Sequence, residues 1–213
     1  MADEIVLSFH DSLLRRSDLS LLEEGCWLND RLIGFIFDYF TYNAFKQVSD
    51  DVLFISPDVT QFLKLGQGPE ISVFIDPLNF PSRKLIFFAV NDSDSPNSAG
   101  GSHWSLLMYD RQRNVFHHYD SFKSHNVSAA KSLAKKVEPF LTATPSFFIE
   151  ERCPQQENGH DCGVYVICIT EQLCNNFIGH TEKSLVGSIL AEDVRRKRKS
   201  IKSLILELGR KKT

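Results

Sequence analysis

A chain of 213 residues, 42% of them apolar, is long enough to bury a real core and short for two full domains, so residues 1–213 are expected to form one domain. Twenty-four basic against 27 acidic residues give a formal charge of −3, which excludes a generally basic surface that coats nucleic acid. No apolar run reaches the roughly 18 residues that span a bilayer, and Met1-Ala2-Asp3-Glu4 lacks the basic and apolar parts of a secretory signal. A soluble protein of the cytoplasm or nucleus is the expectation, with neither nucleic acid nor membrane as partner.

In chain order, Ile5 to Ser8 reads as a short strand. Asn29-Asp30 then precede a dense apolar stretch, Leu32 to Phe45, which reads as a buried helix with a polar N-cap. Ser56-Pro57-Asp58 has the order of N-cap, first-turn proline and acidic first turn, and Gly66 ends the short helix that follows. Lys84 to Val90, His103 to Tyr109 and Val115 to Tyr119 are β-branched or aromatic runs between turn residues. They predict three strands of one mostly antiparallel sheet, with Ser146 to Glu150 as a further strand. Asn91 to Ser102 has the small, polar composition of a surface loop and leads directly into His103.

Ser128 to Leu141 carries Ala130, Leu133, Ala134 and Val137 on one stripe with lysines opposite, as a surface helix packed on the sheet would. Asp161 to Phe177 is apolar all round and predicts a central, buried helix that begins at Cys162. From Thr181 two weaker helical patterns are expected, the last with the basic run Arg195 to Lys199, read as a solvated helix face or as a nuclear-import or acidic-partner patch.

The chemistry turns on cysteine. Five cysteines, at 26, 153, 162, 168 and 174, have no paired C-x-x-C spacing and suggest neither a disulfide framework nor a zinc site. Cys162 falls at the first turn of the buried helix, behind Asp161 as a possible N-cap, where backbone N–H groups and the helix dipole favour a thiolate. Cys168 and Cys174 lie deeper in the same helix, where burial favours the inert thiol. Cys26 and Cys153, in predicted loops, stay open as nucleophiles. For the base, a hairpin turning at Asp110 to Asn114 pairs residues whose numbers sum to about 223 or 224, an estimate from antiparallel geometry that makes His103 and Asp120 cross-strand neighbours. A carboxylate there would hold the imidazole tautomer. His117 and His118 read as packed or surface histidines.

Trp27-Leu28-Asn29-Asp30, His103-Trp104, Tyr119-Asp120-Ser121, and Gln156 followed after five residues by Cys162 in Asp161-Cys162-Gly163 resemble, in this order, the motifs of the Ulp/sentrin-specific cysteine proteases. The resemblance covers nearly the whole chain, and its length together with Ile55 to Phe62 is similar to the short deneddylating branch of that family. It implies an α+β, papain-like fold with the catalytic cysteine at the N-terminus of a buried helix. The activity implied is hydrolysis of peptide or isopeptide bonds after the terminal Gly-Gly of a ubiquitin-like modifier. The Nedd-type modifier, carried on conjugates such as cullins, is the favoured partner; SUMO or ubiquitin, a silent modifier-binding module, and acyl transfer by the same triad are the alternatives.

Carried over residue by residue, the resemblance makes Cys162 the nucleophile, His103 the base and later acid, Asp120 the orienting carboxylate and Gln156 an oxyanion donor, with Gln155 its adjacent competitor. Trp27 and Trp104 would flank a channel for the modifier's tail, although without the resemblance both read as core tryptophans. Asp30 would meet a basic residue of that tail, or serve as a helix N-cap. The chemistry implied needs no metal or organic cofactor, and a monomer is expected.

Overall fold

The computed structural model describes residues 3–66, 70–95 and 100–211. Near the N-terminus β1 (Ile5–Phe9) and β2 (Ser12–Arg15) form an antiparallel hairpin, of which only the first strand was legible in the sequence. The main sheet runs in the order β3 (Val52–Ile55), β4 (Leu85–Asn91), β5 (Trp104–Asp110), β6 (Val115–Tyr119), β7 (Phe147–Glu150). Its three central strands are antiparallel, as expected. Both edges join in parallel, which makes the sheet mixed rather than mostly antiparallel. Parallel neighbours need a crossover. Helices α3 (Pro57–Leu65) and α4 (Glu70–Ile75) supply it between β3 and β4, and α5 (Val127–Leu141) between β6 and β7.

Alternation along the strands builds a core on each face. Leu85, Phe87 and Ala89 of β4 join Leu106 and Met108 of β5 on one side, where α2 (Asp30–Tyr39), α6 (Cys162–Ile178) and α7 (Ala191–Arg210) pack. Ile86, Phe88 and Val90 join Leu107, Tyr109 and Phe116 on the other, under α5, α3 and α4. Every residue of β4 is buried, as a strand covered on both faces must be.

The helices start where local chemistry allows. Asn29 caps α2 by accepting the Leu32 N–H at 3.0 Å, so Asp30 is the first helical residue and not the cap. After Tyr39 the chain winds on through a π-helical turn, Phe40–Ala44. Ser56 caps α3 ahead of Pro57, and Gly66 ends it. Before α2 a short helix, α1 (Arg16–Ser20), places Asp18 beneath Asn29, whose amide donates to it at 2.7 Å.

Among the described residues beyond Thr181 there is one helix, α7, where two were expected. The Asp193 carboxylate accepts the Leu190 N–H at 2.9 Å and so starts the helix at Ala191, while Leu185 and Ile189 are buried in the turns before it. Its buried stripe is Val194, Arg198, Ile201 and Ile205, so the basic run is not simply a solvated face. No helix among the described residues is long and apolar enough to cross a membrane.

Candidate active site

Cys162 is the first residue of α6 and is 2% exposed. Asp161 precedes it but does not cap the helix; its carboxylate is engaged elsewhere, with Arg198 at 2.6 Å and Asn158 at 2.9 Å. Gly163 follows because the helix start presses against α2. A Cβ there would lie 3.0 Å from Leu28 Cβ and 3.3 Å from Ile33 Cδ1.

His103 and Asp120 meet, though not as ladder partners. The β5–β6 register sums to 225, with Leu106 opposite Tyr119, so His103 lies before β5 and Asp120 beyond the end of β6. The turn takes four residues, Arg111 to Asn114, because Asp110 stays in the ladder opposite Val115 instead of joining the turn. Beyond the ladder the side chains make the contact, and the imidazole Nε2 lies 2.6 Å from Asp120 Oδ1. Cys162 is the ring's other polar neighbour, and its interaction with the imidazole helps raise the His103 pKa. With Nε2 held by the carboxylate, Nδ1 is the nitrogen that faces sulfur, the reverse of the serine-protease assignment.

Electrostatics fit this arrangement. Burial works to lower the His103 pKa, but the interactions with Asp120 and Cys162 outweigh it and raise the pKa to about 9. Burial likewise opposes a charged Asp120. It is outweighed by His103 and by the backbone N–H groups of Asn126 and Phe122, each at 2.8 Å, and the carboxyl stays below its usual range. Burial pushes the Cys153 and Cys168 thiols up to about 12 and Cys174 well above its ordinary value, which sets those three aside as nucleophiles. Cys26 does not line the cleft.

Gln155 and Gln156 now separate. The Gln155 amide is tied inward, donating to Asp120 O at 2.9 Å and accepting the Lys123 N–H at 2.9 Å. Gln156 is held by the Ser121 hydroxyl at 2.8 Å and donates to Asn158 O at 2.6 Å, within the loop that runs into Cys162.

A cleft of about 410 Å³ opens on Cys162 and His103, lined also by Trp27, Asp30, Asp58 and Trp104. Trp27 is 50% exposed, not a core residue, and its indole donates to Gly159 O at 2.7 Å. Trp104 is half-buried and donates to Leu28 O at 3.0 Å. Burial, together with the neighbouring Asp30, holds the Asp58 carboxyl above its usual range. Gly101, at φ +91°, forms part of the wall; a Cβ there would meet Asn91 Oδ1 at 1.9 Å. Of the loop predicted over Asn91 to Ser102, residues 96–99 lie outside the described residues. Among the described residues no group of three His, Cys, Asp or Glu is gathered as metal ligands.

Several residues of the site carried no signal in the sequence. Asp92 accepts the Ser102 N–H at 2.6 Å and the His103 N–H at 3.1 Å, fixing the backbone that presents the imidazole. Asn126, 1% exposed, gives its N–H to Asp120 and its amide to the carbonyls of Val90 and His103, at 3.1 and 3.3 Å. Buried Lys64 of α3 pins the loop after β4 through the carbonyls of Asn91 and Ser93, at 2.5 and 2.6 Å. Only tertiary placement gives these residues their roles.

A thiol at a helix N-terminus, an imidazole and a carboxylate at the mouth of a narrow cleft, on an α+β scaffold, define the cysteine-peptidase class. Residues 35–213 match the C-terminal catalytic domain of the Ulp1 protease family, and the chain belongs to that family. It is 47% identical over 212 residues to sentrin-specific protease 8 of Homo sapiens, covering 98% of this chain and 100% of that protein. To NEDD8-specific protease 1 of Arabidopsis thaliana it is 36% identical over 178 residues, covering 82% and 77% of the two chains. The fold is similar to that of the C-terminal Ulp1 protease domain solved in complex with Smt3, the yeast orthologue of SUMO. The TM-score there is 0.72 at 20% identity, over 98% of this chain and 90% of that one.

Proposed function

We propose that this peptidase cleaves after the C-terminal Gly-Gly of a NEDD8-type modifier, with Cys162 as nucleophile, His103 as proton carrier and Asp120 as its orienter. One observation carries the reading: His103 is held by Asp120 through Nε2 at 2.6 Å and interacts with Cys162, and His103 and Cys162 open together on the cleft. A pKa of about 9 keeps the proton on the imidazole at neutral pH, so the ring stands beside the sulfur as a cation that favours thiolate. Sulfur attacks the terminal glycine carbonyl, and the helix N-terminus with Gln156 receives the developing oxyanion. The imidazolium gives its proton to the departing amine, leaving a thioester. Water, deprotonated by the now neutral ring, hydrolyses it. Peptide and lysine isopeptide bonds serve alike, so precursors and conjugates such as neddylated cullins are both substrates.

Two tryptophans flanking the cleft suit a tail ending in two residues without side chains, and the acidic Asp30–Asp58 pair suits a basic residue upstream of them. Relatives named for NEDD8 favour that modifier. The test incubates the protein and Cys162→Ala with NEDD8, SUMO and ubiquitin probes carrying a thiol-reactive electrophile at the terminal glycine, read by intact mass. A Cys162-dependent adduct with the NEDD8 probe is expected. An adduct with another modifier alone would overturn the specificity, and none with any probe would overturn the function.

A further inference from the structure

Within the basic run of α7, Lys197 reaches across to Glu171 of α6 at 2.5 Å, and the arginines divide. Arg195 and Arg196 pair at the surface with Glu192 and Asp193, one turn back on the same helix. Arg198 turns inward and is 5% exposed. Its Nη1 donates to Leu21 O at 2.8 Å and Glu23 O at 3.2 Å; its Nη2 donates to the Asp161 carboxylate at 2.6 Å and to His160 O at 3.5 Å. Burying a cation costs more than one ion pair returns, and is sustained when its donors find several acceptors, as both Nη groups do here.

The acceptors are what matter. Asp161 also accepts from Asn158 Nδ2 at 2.9 Å, and Asn158 Oδ1 in turn accepts the N–H groups of His160 and Asp161, both at 3.0 Å. In the same loop Asn158 O takes the Gln156 amide and Gly159 O takes the Trp27 indole. Leu21 and Glu23 belong to the segment that leads to Trp27. We infer that Arg198 is a positioning residue of the active site: it clamps the loop that carries Gln156 to the segment that carries Trp27, and neutralises Asp161 directly before Cys162. The inference rests on the roles proposed above for Cys162, Gln156 and Trp27.

The groups facing Asp161 are Arg198 from α7, Asn158 and His160 from its own loop, the latter at 4.0 Å, and Tyr165 one turn into α6. Arg198 is the one permanent cation among them. Without it the carboxylate of the residue directly before Cys162 is left uncompensated, and a nearby like charge opposes thiolate formation.

The test compares Arg198→Met, Arg198→Lys and Asp161→Asn/Arg198→Met with the parent in two assays. One is steady-state cleavage of a fluorogenic amide at the C-terminus of NEDD8. The other is the pH profile of Cys162 alkylation by iodoacetamide, located by peptide mass, which needs no modifier. Arg198→Met is expected to lower kcat about 100-fold, the scale of a misplaced catalytic group. It should also move the alkylation midpoint up by about one pH unit. The double variant returns the midpoint to the parent value while kcat stays low. Arg198→Lys keeps the midpoint, because the charge remains, but loses about tenfold in kcat, because one ammonium cannot make the fork.

Parent-like kcat and midpoint in Arg198→Met would overturn the inference. So would losses that vanish once corrected for the unfolded fraction seen by thermal melting. If Arg198→Met does not fold, Arg198→Lys decides alone, and parent-like kcat there overturns the inference. A parent that alkylates at Cys162 but cleaves no modifier defeats the functional reading instead, and the midpoints still decide the role of Arg198.

Discussion

Of the histidine–carboxylate pairs around the central strands, His103–Asp120 lies just beyond the β5–β6 ladder and His118–Glu150 lies within the sheet, and only the first is placed to do chemistry. His103 holds Asp120 at 2.6 Å and faces a thiol. His118 holds Glu150 at 2.5 Å and faces the hydroxyl of Ser105 at 2.9 Å, so on distances alone it is as good a nucleophile–base–acid relay. The difference is position. His118 lies within the β5–β6 ladder opposite Leu107, with 0% exposure, and Ser105 is 1% exposed. Neither lines the cleft, whereas His103 and Cys162 both do. Hydrogen-bond geometry makes a relay; a path for substrate and a helix N-terminus for the oxyanion make a site.

The comparison breaks first at Cys162. Cys162→Ala is expected to abolish turnover while modifier binding, measured by calorimetry, persists; turnover by that variant would move the chemistry elsewhere. Asp120→Asn should cost about 10³- to 10⁴-fold in kcat, because the amide cannot hold the charged ring as the carboxylate does. Gln156→Ala should lower kcat about 100-fold, the scale of a lost oxyanion donor. Gln155→Ala, whose amide only braces the loop, should stay within about threefold by the same measure.

Acidity gives a further expectation. His103 is raised from an ordinary 6.5 to about 9, so its stabilising interactions are fully present below 6.5 and fade as pH rises through 9. A basic limb in kcat/KM near pH 9 and a falling Tm over the same interval should appear together, and His103→Ala should lose that part of the Tm profile.

The smallest catalytic effect belongs to the second pair. Ser105→Ala leaves the buried His118 Nε2 without its partner and should cost about 1–3 kcal/mol in chemical denaturation. Its kcat/KM should match the parent at a temperature where both are folded. A large catalytic loss there would mean that the buried pair feeds the active one.

Much of the scaffold was legible because it is locally encoded. Asn29, Ser56-Pro57 and Gly66 mark helix ends by their own capping chemistry, and the stripe Ala130, Leu133, Ala134 and Val137 marks the packed face of α5. The short strands β2 and β3 and helix α4 went unread, because four to six residues carry too little periodicity to stand out from loop. The site itself was legible through its motifs, while its geometry was not. A hairpin estimate one or two residues off in register still brought His103 to Asp120, since both lie beyond the ladder, where side chains rather than backbone decide the contact. The inward turn of Arg198 was hidden in a run of like charges. Nothing in that run distinguishes the one position whose helical phase, four residues after Val194 and three before Ile201, points to the core.

The most direct test of the central claim, that Cys162, His103 and Asp120 act as one unit, is a double-mutant cycle on single-turnover cleavage of a NEDD8 amide with His103→Ala, Asp120→Ala and the two combined. Groups that act only through one another predict a double variant no slower than His103→Ala alone. Losses that multiply would contradict the account and leave Asp120 with a task of its own.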